Sequence, residues 1–262
     1  MSGEKIIKGS VVVVALAMLA YHLIYVHSLI QVQAKHLTTH LGFSLVLVYL
    51  TGCMESKRRW SKIILLCLSI LSLLGAGYLE ILYHELKLRV WFNTPLDLTV
   101  GVVLMLLSLE AARRNFGILI PLMSVIVVIY PFLGHHLPEP FHCTSYSFLR
   151  TLSNLSLTYT AGLYSPALAA SANYLFLFVV FGSVLQATGA SKFFLELAKV
   201  VGNKFKGGPG MMAVVSSAGV GSITGSVVAN MTITGAFTIP LMKQVGYKPE
   251  QAGAIEGAAS NG

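Results

Sequence analysis

Charge is what this chain has least of. Only 11% of its 262 residues are Asp, Glu, Lys or Arg, whereas 55% are hydrophobic and the mean hydropathy is +0.74. An ordinary soluble domain carries about 25% charged residues, so the composition excludes a soluble globular fold and indicates an all-α, polytopic membrane protein. Cysteine is scarce as well. Cys53, Cys67 and Cys143 fall into no C-x-x-C spacing, so neither a disulfide framework nor a cysteine-based metal site is expected, and Cys53 and Cys67 are expected to pack within apolar runs. There is no G-x-S-x-G, no H-E-x-x-H, no P-loop and no pair of carboxylates, which argues against an enzyme and against an ATP-driven pump. The formal net charge of +8 does not point to nucleic acid, because the basic residues sit in short clusters between apolar runs and form no basic face interleaved with aromatics.

What the chain does have is a succession of apolar runs long enough to cross a bilayer core of roughly 30 Å. Spans are expected at residues 9–34, 38–54, 63–83, 96–109, 116–133 and 167–187, with a break at Asn93-Thr94-Pro95 before the fourth. Lys5 and Lys8 ahead of the first run could also describe a signal peptide, but no small-x-small cleavage site follows promptly, so a retained helix is the preferred reading. The stretch 134–166, rich in Pro, Ser and Thr, is expected outside the membrane with a short amphipathic helix near 146–157. Residues 191–205, with Lys192, Lys199 and Lys204 among apolar positions at helical period, read as a helix lying along the bilayer surface. With the N-terminus cytoplasmic, 14 of the 18 Lys and Arg residues fall on the cytoplasmic side, which is the usual bias.

The most unusual stretch is 207–246, apolar at both ends and filled with Gly, Ser and Thr between. No charged side chain occurs from Ala213 to Met242. Gly221, Gly225 and Gly235 loosen a helix by about 1 kcal/mol each relative to Ala. Ser222, Thr224, Ser226, Asn230, Thr232 and Thr234 can meet the backbone groups so freed. Two apolar arms folding back at a broken polar tip, a re-entrant hairpin, is the expected structure. Its hard oxygens suit a Na⁺ ion. The same glycines, spaced G-x-x-x-G at 221 and 225, also suit a plain packing face, and composition alone leaves both readings open. Both ends of the hairpin carry lysine (Lys206, Lys243, Lys248), which favours entry and exit on one side.

A second helix break is expected at Ser260-Asn261-Gly262, after a small-residue run containing Glu256. An intramembrane carboxylate is a functional candidate by default, although its depth cannot be read from sequence. Glu80 and His84 share a helix face at i, i+4. They could relay protons, but an interfacial patch with Lys87 and Arg89 is the favoured reading. His22, His27, His36 and His40, of which His36 and His40 share a helix face, invite a metal or haem reading that no accompanying carboxylate or cysteine supports. The looser cluster of His135, His136, His142 and Cys143 in the long outer loop is read as having no such role.

The run GGPGMMAVVSSAGVGSITGSVVANMTITGAFTIPLMKQVGYKPEQAGAIEGAASNG, preceded by FLFVVFGSVLQATGASKFFLELA, resembles the fused membrane subunit of tripartite ATP-independent periplasmic (TRAP) transporters, most closely the TAXI-type branch. The likeness covers roughly residues 83–262. It implies a Na⁺-coupled secondary transporter in a bacterial or archaeal cytoplasmic (inner) membrane. Such a transporter takes up organic acids delivered by a periplasmic solute-binding protein and moves as an elevator built from inverted repeats. Residues 1–115 would then be small-subunit-like transmembrane helices, here fused, and 116–262 the start of the large permease domain. The resemblance implies ion- or substrate-binding roles for Ser222, Thr224, Gly225, Ser226 and Asn230, with Ser260, Asn261 and Gly262 at the following break, and no cofactor besides the coupling ion. Thr224 stands where the family pattern suggests Ser, which preserves a hydroxyl. Val227 stands where a second Ser is expected, which removes one. Family members continue for several hundred residues further, so a truncated or split form working with a separate C-terminal half is expected. The alternative is a non-transporting membrane scaffold or a degenerate remnant.

Overall fold

The computed structural model describes residues 2–28, 32–90, 92–136, 138–144, 147–189, 208–225 and 227–261, together with 196 and 200. Among these every regular element is helical. Six segments are long and apolar enough to cross a membrane: Lys5–Ser28, Gln33–Glu55, Arg59–Ile81, Pro95–Phe116, Leu119–His136 and Gly162–Phe181. Apart from 196 and 200, the expected surface helix at 191–205 lies outside the described residues. The chain divides into two compact units, Met1–Ala172 and Asn173–Gly262.

The first unit contains α1 (Ser2–Ser28), α2 (Gln33–Glu55), α3 (Arg59–Ile81), α4 (Tyr83–Leu88), α5 (Pro95–Phe116), α6 (Leu119–Leu133), α7 (Phe148–Ser156) and α8 (Pro166–Ala170). α2 is its centre. Leu37, Leu41, Leu45, Tyr49 and Cys53 recur every fourth residue and form one buried stripe against Leu65 and Leu79 of α3 and Leu104 and Leu107 of α5. Gly42 lets α2 and α3 approach so closely that a Cβ there would lie 2.7 Å from the Ala76 Cβ, the small-residue contact typical of membrane helices. By contrast α1 and α6 leave most of their apolar side chains exposed, as a surface in contact with lipid requires.

Several boundaries differ from the sequence reading. The first helix ends at Ser28 and the second begins at Gln33, whereas one span to residue 34 was expected. The third span stops at Ile81, and the short α4 follows, so Glu80 and His84 do not share one continuous helix. Glu80 pairs with Lys35 at 3.5 Å, and Arg89 lies 3.5 Å from Glu85 and 3.3 Å from Asp97, so the expected patch is split between two partners. α5 runs on to Phe116 because Glu110 sits within 2.7 Å of both Arg113 and Arg114, one helical turn away, which neutralises the charges inside the helix. Cys53 is buried as expected, but Cys67 is exposed. The break before α5 is a capping box. Thr94 Oγ1 accepts from the Asp97 N–H at 3.3 Å and Asp97 Oδ2 accepts from the Thr94 N–H at 2.8 Å, with Pro95 at the first helical position.

The histidines have a structural use. His22, His36 and His40 are all buried, joining α1, α2 and the π-helical turn Ser171–Leu175 that follows α8. The Met18 carbonyl can only accept, so a neutral His22 donates to it from Nδ1 at 2.8 Å. His22 Nε2 then accepts from His40 Nδ1 at 2.9 Å, and His40 Nε2 accepts from the Ser171 hydroxyl at 3.1 Å. His36 stacks on Tyr25 with ring centroids 3.6 Å apart. The exposed His27 takes no part in this chain.

Tyr49 supplies a check on the α2–α5 contact. It is fully buried, and its hydroxyl donates to the Leu107 carbonyl at 2.6 Å. Tyr49→Phe should cost about 1 kcal/mol, the net value of one such bond, measured by reversible unfolding in mixed detergent micelles. A loss above about 3 kcal/mol would mean that the ring itself had moved.

The second unit contains α9 (Phe176–Ala187), α10 (Gly208–Thr224), α11 (Val227–Gln244) and α12 (Pro249–Asn261). α10 and α11 fold back on each other. Ala213 packs with Met242 near the open end, and Ser217 meets Asn230 and Thr234 nearer the tip. α12 lies along both arms, with Ala252 completing the apolar cluster.

Candidate functional site at the hairpin tip

The helix ends at Thr224 because Gly225 adopts φ +57°, a left-handed conformation that costs L side chains roughly 1–2 kcal/mol. Its N–H still reaches the Gly221 carbonyl at 2.9 Å, so the break is a defined turn. Beside it is a cavity of about 330 Å³ lined by Ser217, Ala218, Gly221, Ser222, Gly225, Val227, Asn230, Ser260 and Asn261. Five of the eight residues expected in the site therefore share one cavity: Ser222, Gly225, Asn230, Ser260 and Asn261. Ser226, Gly262 and the Thr224 side chain lie outside the described residues. Val227 contributes only its hydrocarbon side chain.

The lining is polar without being charged. Asn230 is 3% exposed and its Nδ2 donates to the Ser217 carbonyl at 3.1 Å. That carbonyl cannot donate, which fixes the amide orientation and leaves Oδ1 as the remaining acceptor. Among the described residues this buried Oδ1 has no hydrogen-bond partner. An unsatisfied buried acceptor costs about 1–3 kcal/mol. Gly221 makes room for the amide, since a Cβ there would lie 3.0 Å from Asn230 Nδ2. Ser222 behaves differently from expectation: its hydroxyl donates to the Ala218 carbonyl at 2.6 Å and the residue is exposed.

Behind the cavity is a feature that sequence reading found only in part. Glu256 is completely buried, and its carboxylate is ringed by hydroxyls from all three helices. Oε1 accepts from Thr234 and, at 3.4 Å each, from Ser217 and Ser260; Oε2 accepts from Thr238. Gly235 clears its path, because a Cβ there would lie 3.2 Å from Glu256 Cγ. No Lys, Arg or His pairs with Glu256 among the described residues. Removing a carboxylate from water costs several kcal/mol, and hydrogen bonds to a charged group return about 1.5–3 kcal/mol each. The missed signal is periodic. Asn230, Thr234 and Thr238 stand at i, i+4 and i+8 on α11, and Glu256 and Ser260 at i, i+4 on α12, so each set forms one polar stripe in an apolar helix.

The family described as "Tripartite ATP-independent periplasmic transporter, DctM component" matches residues 103–262, a range that includes the hairpin, its cavity and all of α12. The chain belongs to the TRAP transporter DctM family. A Haemophilus influenzae protein described as "Putative TRAP transporter large permease protein" is 34% identical over 83 residues, covering 31% of this chain and 19% of that protein. The chain thus spans about a fifth of that relative's length. No solved structure matches. Together with the six apolar helices, the family membership makes this a multi-pass membrane protein.

Proposed function

We propose that the chain is a membrane permease component of a Na⁺-coupled TRAP-type secondary transporter, TAXI-type by its sequence pattern. In this reading it takes up organic acids presented by a periplasmic solute-binding protein and sits in the inner membrane with its N-terminus cytoplasmic. The observation that carries the reading is the uncharged oxygen-lined cavity at the broken tip of the hairpin. Na⁺ favours hard oxygen ligands, and broken helix ends in a membrane supply them where irregular backbone lines a cavity. Asn230, whose buried Oδ1 has no partner among the described residues, offers such an oxygen from the cavity wall, and Ser217 and Ser260 line the same cavity. That no charged group stands on the lining among the described residues fits a site that must release its ion on each cycle.

The test is solute uptake by right-side-out membrane vesicles from cells expressing the chain from its native locus, with the cognate binding protein added. Wild-type uptake should require a Na⁺ gradient, and Asn230→Ala should lower it at least tenfold at limiting Na⁺ while high Na⁺ restores part of it. Uptake that proceeds equally in choline would overturn the coupling.

A further inference from the structure

We infer that Glu256 sets the polarity of the hairpin cavity: it draws the hydroxyl protons of Ser217 and Ser260 inward, so that both oxygens turn their lone pairs to the cavity and make it a cation site. This inference deepens the ion-binding proposal above and rests on it. Three observations carry it, none depending on a single short bond.

The first is the arrangement in layers. Glu256 is not part of the cavity wall, whereas Ser217 and Ser260 both line the cavity and both reach Glu256 Oε1. The two hydroxyls therefore stand between the carboxylate and the cavity. A hydroxyl has one proton and two lone pairs. Facing an anion on one side and a cavity on the other, it presents its proton to the anion and its lone pairs to the cavity. At 3.4 Å these contacts are long, so it is the carboxylate charge in a low-dielectric interior, more than hydrogen-bond geometry, that sets the direction.

The second observation is that the alternative proton positions are limited. Among the described residues, the Ser260 hydroxyl contacts the Ser217 hydroxyl, at 3.3 Å, besides Glu256. Ser217 itself faces Ser260 and the Thr234 hydroxyl at 3.3 Å, and both of these neighbours also converge on Glu256 Oε1. The one Thr234 proton is shared with the Asn230 backbone carbonyl at 2.8 Å, so Oε1 remains open to the Ser217 and Ser260 protons. The lone pairs of these two hydroxyls are left for the outward side.

The third is Asn230. Asn230 belongs to the same cavity wall, and its buried carbonyl oxygen has no partner among the described residues. Two oriented hydroxyl oxygens and an unpaired amide in the same wall, backed by the buried Glu256 carboxylate, suit a small monovalent cation and oppose an anion. Glu256 is thus a positioning residue that touches the ion only through Ser217 and Ser260. Its isostere glutamine would place an N–H₂ on one side of the cluster. Where that amide faces Ser217 and Ser260 it donates to them, and their protons turn outward.

The experiment uses the full chain in detergent, with NaCl titrated against choline chloride at constant ionic strength and the unfolding midpoint as readout. Binding to the folded state raises the midpoint with ligand concentration. Wild type should show a saturable Na⁺-dependent rise. Glu256→Gln should need at least tenfold more Na⁺ for half the rise, while its midpoint in pure choline stays close to wild type. A merely structural Glu256 would instead lower the choline midpoint and leave the Na⁺ half-point unchanged, and that result overturns the inference. If Glu256→Gln does not fold, Ser217→Ala and Ser260→Ala decide the matter, each expected to shift the half-point several-fold; two unchanged half-points overturn it. A wild-type protein indifferent to Na⁺ is a different failure, one that removes the ion-binding proposal itself.

Discussion

Replacing Asp97 by alanine is expected to destabilise the first helical unit by about 3 kcal/mol, the scale for stranding the several hydrogen-bond partners of a fully buried carboxylate. Asp97 is fully buried at the start of α5. Its Oδ1 accepts from the Tyr78 hydroxyl at 2.7 Å and from Arg89 Nη2 at 3.3 Å, while Oδ2 accepts from the Thr94 N–H at 2.8 Å and lies 3.3 Å from Arg89 Nε. Alanine would strand all three donors, in a place where α3, the α3–α5 connection and the α5 N-terminus meet. A carboxylate at that N-terminus also opposes the positive end of the helix dipole, worth about 0.3–1 kcal/mol. Asp97→Asn retains the acceptor oxygen for one donor and should cost roughly half as much. Reversible unfolding in mixed micelles measures both. An Asp97→Ala loss below about 1 kcal/mol would show that the network contributes no more than an exposed ion pair.

Gly42→Leu is expected to be at least as damaging, at about 3 kcal/mol or more, the upper end for overpacking a filled contact. Even a single Cβ at this position would lie 2.7 Å from the Ala76 Cβ, and neither group is the flexible end of a long side chain. The helices α2 and α3 would have to separate, and α2 carries the buried stripe around which the unit is built. A swap distinguishes sterics from other causes. In Gly42→Ala combined with Ala76→Gly the total volume and the helix propensities, about 1 kcal/mol each, nearly cancel. The double variant should therefore be more stable than the sum of its single changes, a coupling that a double-mutant cycle reads directly. Strict additivity would rule out the close contact as the cause.

Much of this fold could be read from local pattern, because a bilayer forces it. Every backbone group must be satisfied within the segment, so apolar runs of sufficient length become helices, and the six expected spans correspond to six apolar helices. The capped break at Thr94-Pro95, the short helix near residue 150 and the broken hairpin were legible for the same reason: their signals are local in sequence. Span ends were less legible. Glu110, Arg113 and Arg114 looked like a helix boundary, but charges paired at i, i+3 and i, i+4 continue a helix. The histidines stand out in the sequence as a group, with His36 and His40 at i, i+4, but their hydrogen bonds were not legible. What joins His22 to His40 and His40 to Ser171 is the packing of α1 on α2 and a turn some 130 residues later.

The candidate site divides along the same line. Sequence by itself determined that residues 207–246 would be a helix interrupted by glycine and dressed with hydroxyls, since glycine conformational freedom and side-chain chemistry belong to single residues. Only the tertiary structure decided which of those groups converge. It drew Ser217 from one arm, Asn230 from the other and Ser260 from the next helix to a single cavity. It also tied the Ser222 hydroxyl back to the Ala218 carbonyl and buried Glu256 beneath a ring of hydroxyls. Which face of each helix turns inward depends on what the neighbouring helices can pack against it, and that information is spread over three segments at once.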